Sequence, residues 1–161
     1  MPRKDDNSSH APRIVNRKAR HDYFVSESLE VGIMLTGSEV KSIRTGQVSL
    51  AEGFARVEPA DRSLWLYNVD IPPYAHAHGA AGHEPKRPRK LLAHKREISK
   101  LHDLTVGKGT TLIPLTLYFL RGRVKIELGV CEGKKAYDKR QDLRKREADR
   151  EMQRGMTRKR L

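Results

Sequence analysis

The sequence predicts a mostly β protein, a small antiparallel sheet of about five or six strands with two short helices, followed by a basic arm that does not fold with it. Three observations predict this. Apolar and polar residues alternate with a period of two in several separate runs. The connections between those runs are too short for parallel crossovers, so neighbouring strands pair as meanders or Greek keys, and closure into a small barrel fits their number and length without being required. The pattern then stops at Gly133-Lys134-Lys135, beyond which large apolar side chains nearly vanish.

Taken in order, residues 1–12 hold Ser, Asn, Asp and two prolines with no apolar period and read as a floppy leader. Ile14 to His21 follows, with Arg17, Lys18 and Arg20 as three cations within four positions. Tyr23 to Thr36 is rich in aromatic and β-branched residues. Tyr23, Val25, Val31, Ile33 and Leu35 share one face of a strand bent near Glu27-Ser28. After Gly37, Ser38 to Arg44 reads as a short helix capped by Ser38, with Val40 and Ile43 as its apolar edge. Val48 to Val57 and Leu64 to Ile71 form a hairpin around the turn-rich segment Glu58 to Ser63, and Pro72-Pro73 ends it.

Ala75 to Pro88 has no periodicity and reads as a surface loop that closes on Lys86-Arg87-Pro88-Arg89-Lys90. His94 to Asp103 is a helix, with Leu91, Ile98 and Leu101 or Leu104 as its apolar stripe, stopped by Gly107-Lys108-Gly109. Thr110 to Leu120 and Arg123 to Val130 are the last strands, joined by a tight turn at Arg121-Gly122. In the second of these, Val124, Ile126 and Leu128 face the core, so Arg123, Lys125 and Glu127 face water.

The arm is a different kind of sequence. From Asp138 to Leu161, ten basic residues stand against five acids, a net charge of +5 by subtraction. Such a segment buries too little apolar area to offset its chain entropy, so it is expected to be disordered when free and to order on a polyanion. The organisation is thus a leader over 1–12, a folded body over 13–132, and a hinge and arm over 133–161.

Across the whole chain, 33 basic against 20 acidic residues leave +13, which points to a polyanionic partner. No long apolar run or signal-peptide core supports a membrane partner, so a cytoplasmic, soluble chain is expected. The single cysteine, Cys131, continues a strand pattern and reads as a buried thiol. His76, His78 and His83 share a loop without cysteine or a fourth ligand nearby, so no metal or other cofactor is expected. No nucleophile elbow, Walker loop or metalloprotease signature argues for catalysis.

The candidate phosphate contacts lie in three clusters: Arg17, Lys18, Arg20 with His21; Arg87, Arg89 and Lys90; and Lys134 and Lys135 running into the arm. Most aromatic rings, Phe24 among them, fall in strand patterns and are expected in the core. Tyr137, flanked by cations, is the ring expected to stack on a base.

Several segments together resemble the family of small protein B (SmpB), the SsrA-binding proteins of bacterial trans-translation. They are Asn16-Arg17-Lys18-Ala19-Arg20-His21-Asp22-Tyr23-Phe24, Gly37 to Arg44, Arg89-Lys90-Leu91-Leu92, Glu97-Ile98, Pro114 to Tyr118, and Gly133 to Arg140. They occur in the family's order over roughly residues 14–140. The resemblance implies an oligonucleotide-binding-type barrel with short accessory helices that cradles the tRNA-like domain of transfer-messenger RNA (tmRNA). The same adaptor would deliver that RNA to stalled ribosomes.

It further implies RNA contacts at Asn16, Glu30, Leu92 and Lys125. The arm would enter the decoding centre and empty message channel, with Tyr137, Asp138, Lys139 and Arg140 at its root. The chain departs from the family at Lys86 and Pro88, where threonines are usual, and at Cys131-Glu132, where Ala-Lys is commoner. The partners so implied are tmRNA and the ribosome, the protein being a monomer when free and not an enzyme. A general ribosomal RNA-binding protein of the same fold, or an RNA-acting enzyme, would be the rival readings.

Overall fold

A computed structural model describes residues 11–76 and 82–158. The leader, apart from its last two residues, and part of the 75–88 loop, including His78, lie outside the described residues. The elements are β1 (Ile14–Val15), α1 (Arg17–Asp22), β2 (Tyr23–Ile33), α2 (Gly37–Arg44), β3 (Phe54–Glu58), β4 (Ser63–Tyr67), β5 (Arg89–Leu92), α3 (Lys95–Thr105), β6 (Thr110–Leu120), β7 (Arg123–Gly133) and α4 (Ala136–Arg158). Among the described residues seven strands therefore stand where the sequence pattern gives five or six, and four helices where it gives two. The additions are short or polar. β1 has two residues, β5 reads as the end of a basic loop, and α1 is six residues with only Ala19 buried.

Every pairing is antiparallel, in the order β1-β6-β3-β4-β5-β2-β7, and pairing of β6 with β7 closes the ring. β2 is irregular between Val25 and Glu27, close to the bend expected near Glu27-Ser28. β6 carries a second irregularity between Pro114 and Thr116, where proline's missing N–H does the least harm to the ladder. The β6–β7 turn places both Arg121 (φ 49°) and Gly122 (φ 76°) in the left-handed region that a two-residue hairpin demands.

Several boundaries differ from the sequence pattern: β2 ends at Ile33 rather than Thr36, and β7 runs on to Gly133 rather than Val130. The first hairpin strand starts at Phe54, not Val48, because residues 51–52 turn and only a single bridge, Ser49 to Asp70, joins the flanking segments. Its partner ends at Tyr67, because Asn68 (φ 58°) leaves the extended region. Gly53 fills a place no side chain could share: a Cβ there would lie 2.7 Å from Val69 Cγ2 and 2.9 Å from Pro114 Cγ.

The ring interior is filled by Val31, Leu64, Leu66, Leu91, Leu112, Leu117, Ile126 and Leu128, each at most 1 % exposed. Burying each such side chain contributes roughly 1.5–3 kcal/mol. α3 plugs the ring with Ile98 and Leu101. α1 covers a smaller cluster of Ala19, Ile113, Leu115 and Cys131 on the other face of β6. α2 is capped from Thr36, not Ser38: the Glu39 carboxylate accepts from the Thr36 N–H at 2.9 Å.

Composition predicts an arm that is disordered when free; in this structure it is a 23-residue helix, roughly 34 Å long. Ion pairs of Lys134 with Asp142 and of Lys139 with Asp22 tie its root to the body. Beyond the root, Leu143, Met152 and Met156 are exposed. No helix among the described residues is long and apolar enough to cross a membrane.

Candidate nucleic-acid interface

The ring order brings three of the candidates from distant sequence onto one outer face. Leu92 on β5 is the register partner of Gly32 on β2; Gly32 also faces Lys125 on β7, and Lys125 faces Tyr118 on β6. Leu92, Gly32, Lys125 and Tyr118 thus form one row across four strands. Gly32 keeps the row low in its middle, since a Cβ there would come within 3.3 Å of Leu92 Cβ. Leu92 is 50 % exposed although both its β5 neighbour Leu91 and the flanking Val124 and Ile126 of β7 are buried. The row thus places an exposed apolar side chain and a half-buried cation on either side of Gly32.

Glu30 lies two residues back on β2 and accepts a hydrogen bond from Tyr118 Oη. Burial and that carboxylate push the Tyr118 hydroxyl up to about 12. Arg13 caps the other side of the Tyr118 ring, 5.2 Å from its centroid. The face therefore offers a cation, a ring and an apolar side chain in one strand row, with a carboxylate acceptor two residues behind it. A groove of about 470 Å³ runs along it, lined by Gly32, Leu92, Val124 and Lys125 among others.

The second patch lies at the other end of β2, where Tyr23 pairs with Gly133. Nine strand steps, roughly 30 Å at 3.3 Å each, separate it from the Gly32 row. Arg17, Lys18 and Arg20 are exposed on α1. Lys18 pairs with Glu52 at 2.8 Å, and His21 Nδ1 is 2.9 Å from Asp22. Hydrogen bonds from His21 and Lys139 hold the Asp22 carboxyl below its usual range.

Lys135 and Arg140 are exposed, Asp138 is half-buried and Tyr137 is 68 % exposed. Lys134 differs: its side chain is 6 % exposed, bonded to Asp142 and the Arg20 carbonyl and 4.9 Å from the Phe24 ring centroid. As a phosphate ligand it is poorly placed; it clasps the arm. Phe24, expected in the core from its strand position, is instead 50 % exposed: it alternates with half-buried Tyr23 onto the outer side of β2, where Lys134 lies over its ring.

Two further candidates are structural. Asn16 is 3 % exposed. Its Nδ2 donates to the carbonyls of Leu50 (3.0 Å) and Pro114 (2.9 Å), and its Oδ1 accepts from the Ala19 N–H, capping α1. Arg89 is 1 % exposed and spends its donors on Glu39, the Val69 carbonyl and the Pro85 carbonyl. Arg87 forks onto both oxygens of the same Glu39 at 2.8 and 2.7 Å, leaving its side chain 30 % exposed. Burial would push Glu39 up, but hydrogen bonds from Arg87, the Thr36 N–H and Arg89 hold it down to about 2. These residues shape the interface from beneath, whereas Lys90 beside them is exposed.

Sequence reasoning missed Tyr118 and Arg13 as parts of the face, and Glu39 as the counterion of the basic loop. The Thr36-x-x-Glu39 spacing of a capping box was the available signal for Glu39. His83 bonds with both ring nitrogens, Nε2 to the Ile71 carbonyl and Nδ1 to Ser38 Oγ, so neither is free for a metal. Among the described residues no cluster of metal-ligating side chains occurs. Cys131 is fully buried, which pushes its thiol up to about 11 and away from the reactive thiolate.

The chain is similar to known proteins. The family model described as "SmpB protein" matches residues 13–158. An SsrA-binding protein of Carboxydothermus hydrogenoformans is 55% identical over 141 residues, covering 88% of this chain and 93% of that relative. One from Thermobifida fusca is 46% identical over 160 residues, 98% of each chain. A chain of the solved structure "tmRNA-SmpB: a journey to the center of the bacterial ribosome" superposes with a TM-score of 0.66 at 48% identity, covering 78% of this chain and 87% of that one.

Proposed function

The chain belongs to the SmpB family, and from that premise we propose that it is the RNA-binding adaptor of trans-translation: it binds the tRNA-like domain of tmRNA and brings it to stalled ribosomes. The observation that carries the reading is the row Leu92–Gly32–Lys125–Tyr118 with Glu30 behind it, assembled by the ring from four strands. In this account Lys125 holds a backbone phosphate and Leu92 packs on a sugar or base. Glu30, steadied by Tyr118, accepts from a ribose or base donor. Tyr118 donates to Glu30 and so fixes which way that carboxylate points.

The arm does a second job. The division into a barrel over 13–132 and a hinge and arm over 133–161 is part of the proposal, as is a fraying arm in the free protein. Arg17, Arg20, Lys135 and Arg140 surround the hinge, so polyanion contacts there would compete with the ion pairs at Asp22 and Asp142 and re-aim the helix. Tyr137, Asp138, Lys139 and Arg140 then stand at the decoding centre, with the rest of the arm along the empty message channel. The work is done by binding and placement in the cytoplasm, by a monomer, without a catalytic step.

The test is a titration of the chain against tmRNA and control RNAs of equal length. Clear preference for tmRNA is expected; equal affinity for both would refute the reading.

A further inference from the structure

We propose that the RNA track does not stop at Leu92: it continues across β5 into a groove between the β3–β4 turn and the start of α3, where Arg62, Lys90 and Lys95 hold further backbone phosphates of the same RNA. The inference rests on the RNA-binding reading above and adds a subsite to it.

The groove has a volume of about 510 Å³. Its walls include Leu64, Leu91 and Ile98, which the core already buries, while Arg62, Lys90 and Lys95 are exposed along it. Among the described residues none of these three cations belongs to an ion pair, whereas Lys18, Arg87, Lys100, Lys134 and Lys139 all do. The groove's one carboxylate, Asp61, is turned back onto its own strand: it accepts from the Ser63 N–H at 3.1 Å and from Ser63 Oγ at 2.6 Å. Ser63 Oγ in turn accepts from Trp65 Nε1 at 2.8 Å. What is left facing outward is a trough with three uncommitted cations, and a polyanion is its chemical complement.

Continuity says which polyanion. Lys90 and Leu92 are two apart on β5 and so point to the same side, roughly 7 Å from one another along the strand. Lys90 also faces Trp65 across the β4–β5 ladder, and that ring is half-buried beside it. A strand of RNA that contacts Lys125 and Leu92 meets Lys90 next, and Arg62 and Lys95 lie on the two banks beyond. The guanidinium of Arg62 suits a forked phosphate contact, and Lys95 a point contact.

The test pairs two double variants. Arg62→Gln/Lys95→Gln removes the two bank cations; Lys41→Gln/Lys108→Gln removes the same charge elsewhere on the surface. All four residues are exposed, so thermal unfolding should stay unchanged in both. Affinity for the isolated tRNA-like RNA is measured across a salt series, with Lys125→Ala alongside. Each lost phosphate contact lowers the log–log salt slope by about 0.9, equivalent to about eightfold in affinity at 0.1 M salt against a 1 M reference. The Arg62/Lys95 variant should therefore lose nearly two units of slope and bind roughly 60-fold more weakly at 0.1 M, with the Lys41/Lys108 variant close to wild type. Equal behaviour of the two double variants would overturn the groove while Lys125→Ala still weakens binding. A wild-type chain that shows no preference for the tRNA-like RNA would instead overturn the reading beneath it.

Discussion

Replacing Glu39 by glutamine removes the counterion of a guanidinium that has no access to water. Glu39 is 0 % and Arg89 1 % exposed, joined at 2.8 Å, and Arg87 and the Thr36 N–H complete the carboxylate's contacts. Breaking one side of a buried pair costs about 3–5 kcal/mol. The carboxyl's own displacement, from an ordinary 4.5 to about 2, gives about 3 kcal/mol at about 1.4 per unit. The two routes agree, and for a domain of this size they correspond to a fall in melting temperature of about 10–20 °C.

The sign of the pH dependence follows from the direction of the shift. A carboxyl whose folded pKa is depressed adds stability that is full above about 4.5 and lost as pH falls toward 2. Wild type should weaken through that window, and Glu39→Gln should lose this part of the slope. Urea unfolding at neutral pH and at several acid pH values measures both. A loss under about 1 kcal/mol at neutral pH, with the acid slope intact, would refute the argument. Glu39→Leu with Arg89→Met should recover only part of the loss, because Arg89 also satisfies the Val69 and Pro85 carbonyls.

Three other outcomes are expected. Lys125→Ala should weaken RNA binding with little change in melting temperature, since Lys125 has no ion pair among the described residues; a melting temperature that falls in step with affinity would make Lys125 structural. Asn16→Ala should do the opposite, destabilising the barrel by about 2–4 kcal/mol through the lost α1 cap and two orphaned carbonyls, as denaturant unfolding would show. Gly53→Ala should cost about 1–3 kcal/mol, because its Cβ overlaps Val69 and Pro114; an unchanged midpoint would mean the 50–54 turn yields freely.

The ring was legible wherever a strand alternates. Arg123 to Val130 and the Arg121-Gly122 turn stand where the pattern puts them, and so does the outward side of Lys125. Short elements were not legible: β5 carries two cations in four residues, and only its neighbours β4 and β2 make it a strand. Of the candidate site, period-two reasoning puts Lys125 on the outward side of β7, while its RNA contact comes only from the family resemblance; local sequence cannot tell a free cation from a neutralised one. Arg89 and Lys90 are adjacent, yet one is buried on a carboxylate 50 positions away and the other is exposed. Phe24 misled because it alternates with half-buried Tyr23 onto the outer side of β2, where a strand-like composition does not show which face is wet. The arm's composition spoke for disorder, while its i, i+4 charge pairs and the two ion pairs at its root favour a helix.

The central claim is that one part of the chain binds the RNA and another positions it on the ribosome. Truncation after Ala136 removes Tyr137 onward but leaves every strand, since β7 ends at Gly133. The most direct measurement is made on this truncated protein: its affinity for tmRNA beside its ability to support tagging of stalled chains in a reconstituted translation system. The account predicts near-normal binding with tagging abolished. Tagging that survives the truncation would contradict it, and so would loss of tmRNA binding from a barrel that still unfolds cooperatively.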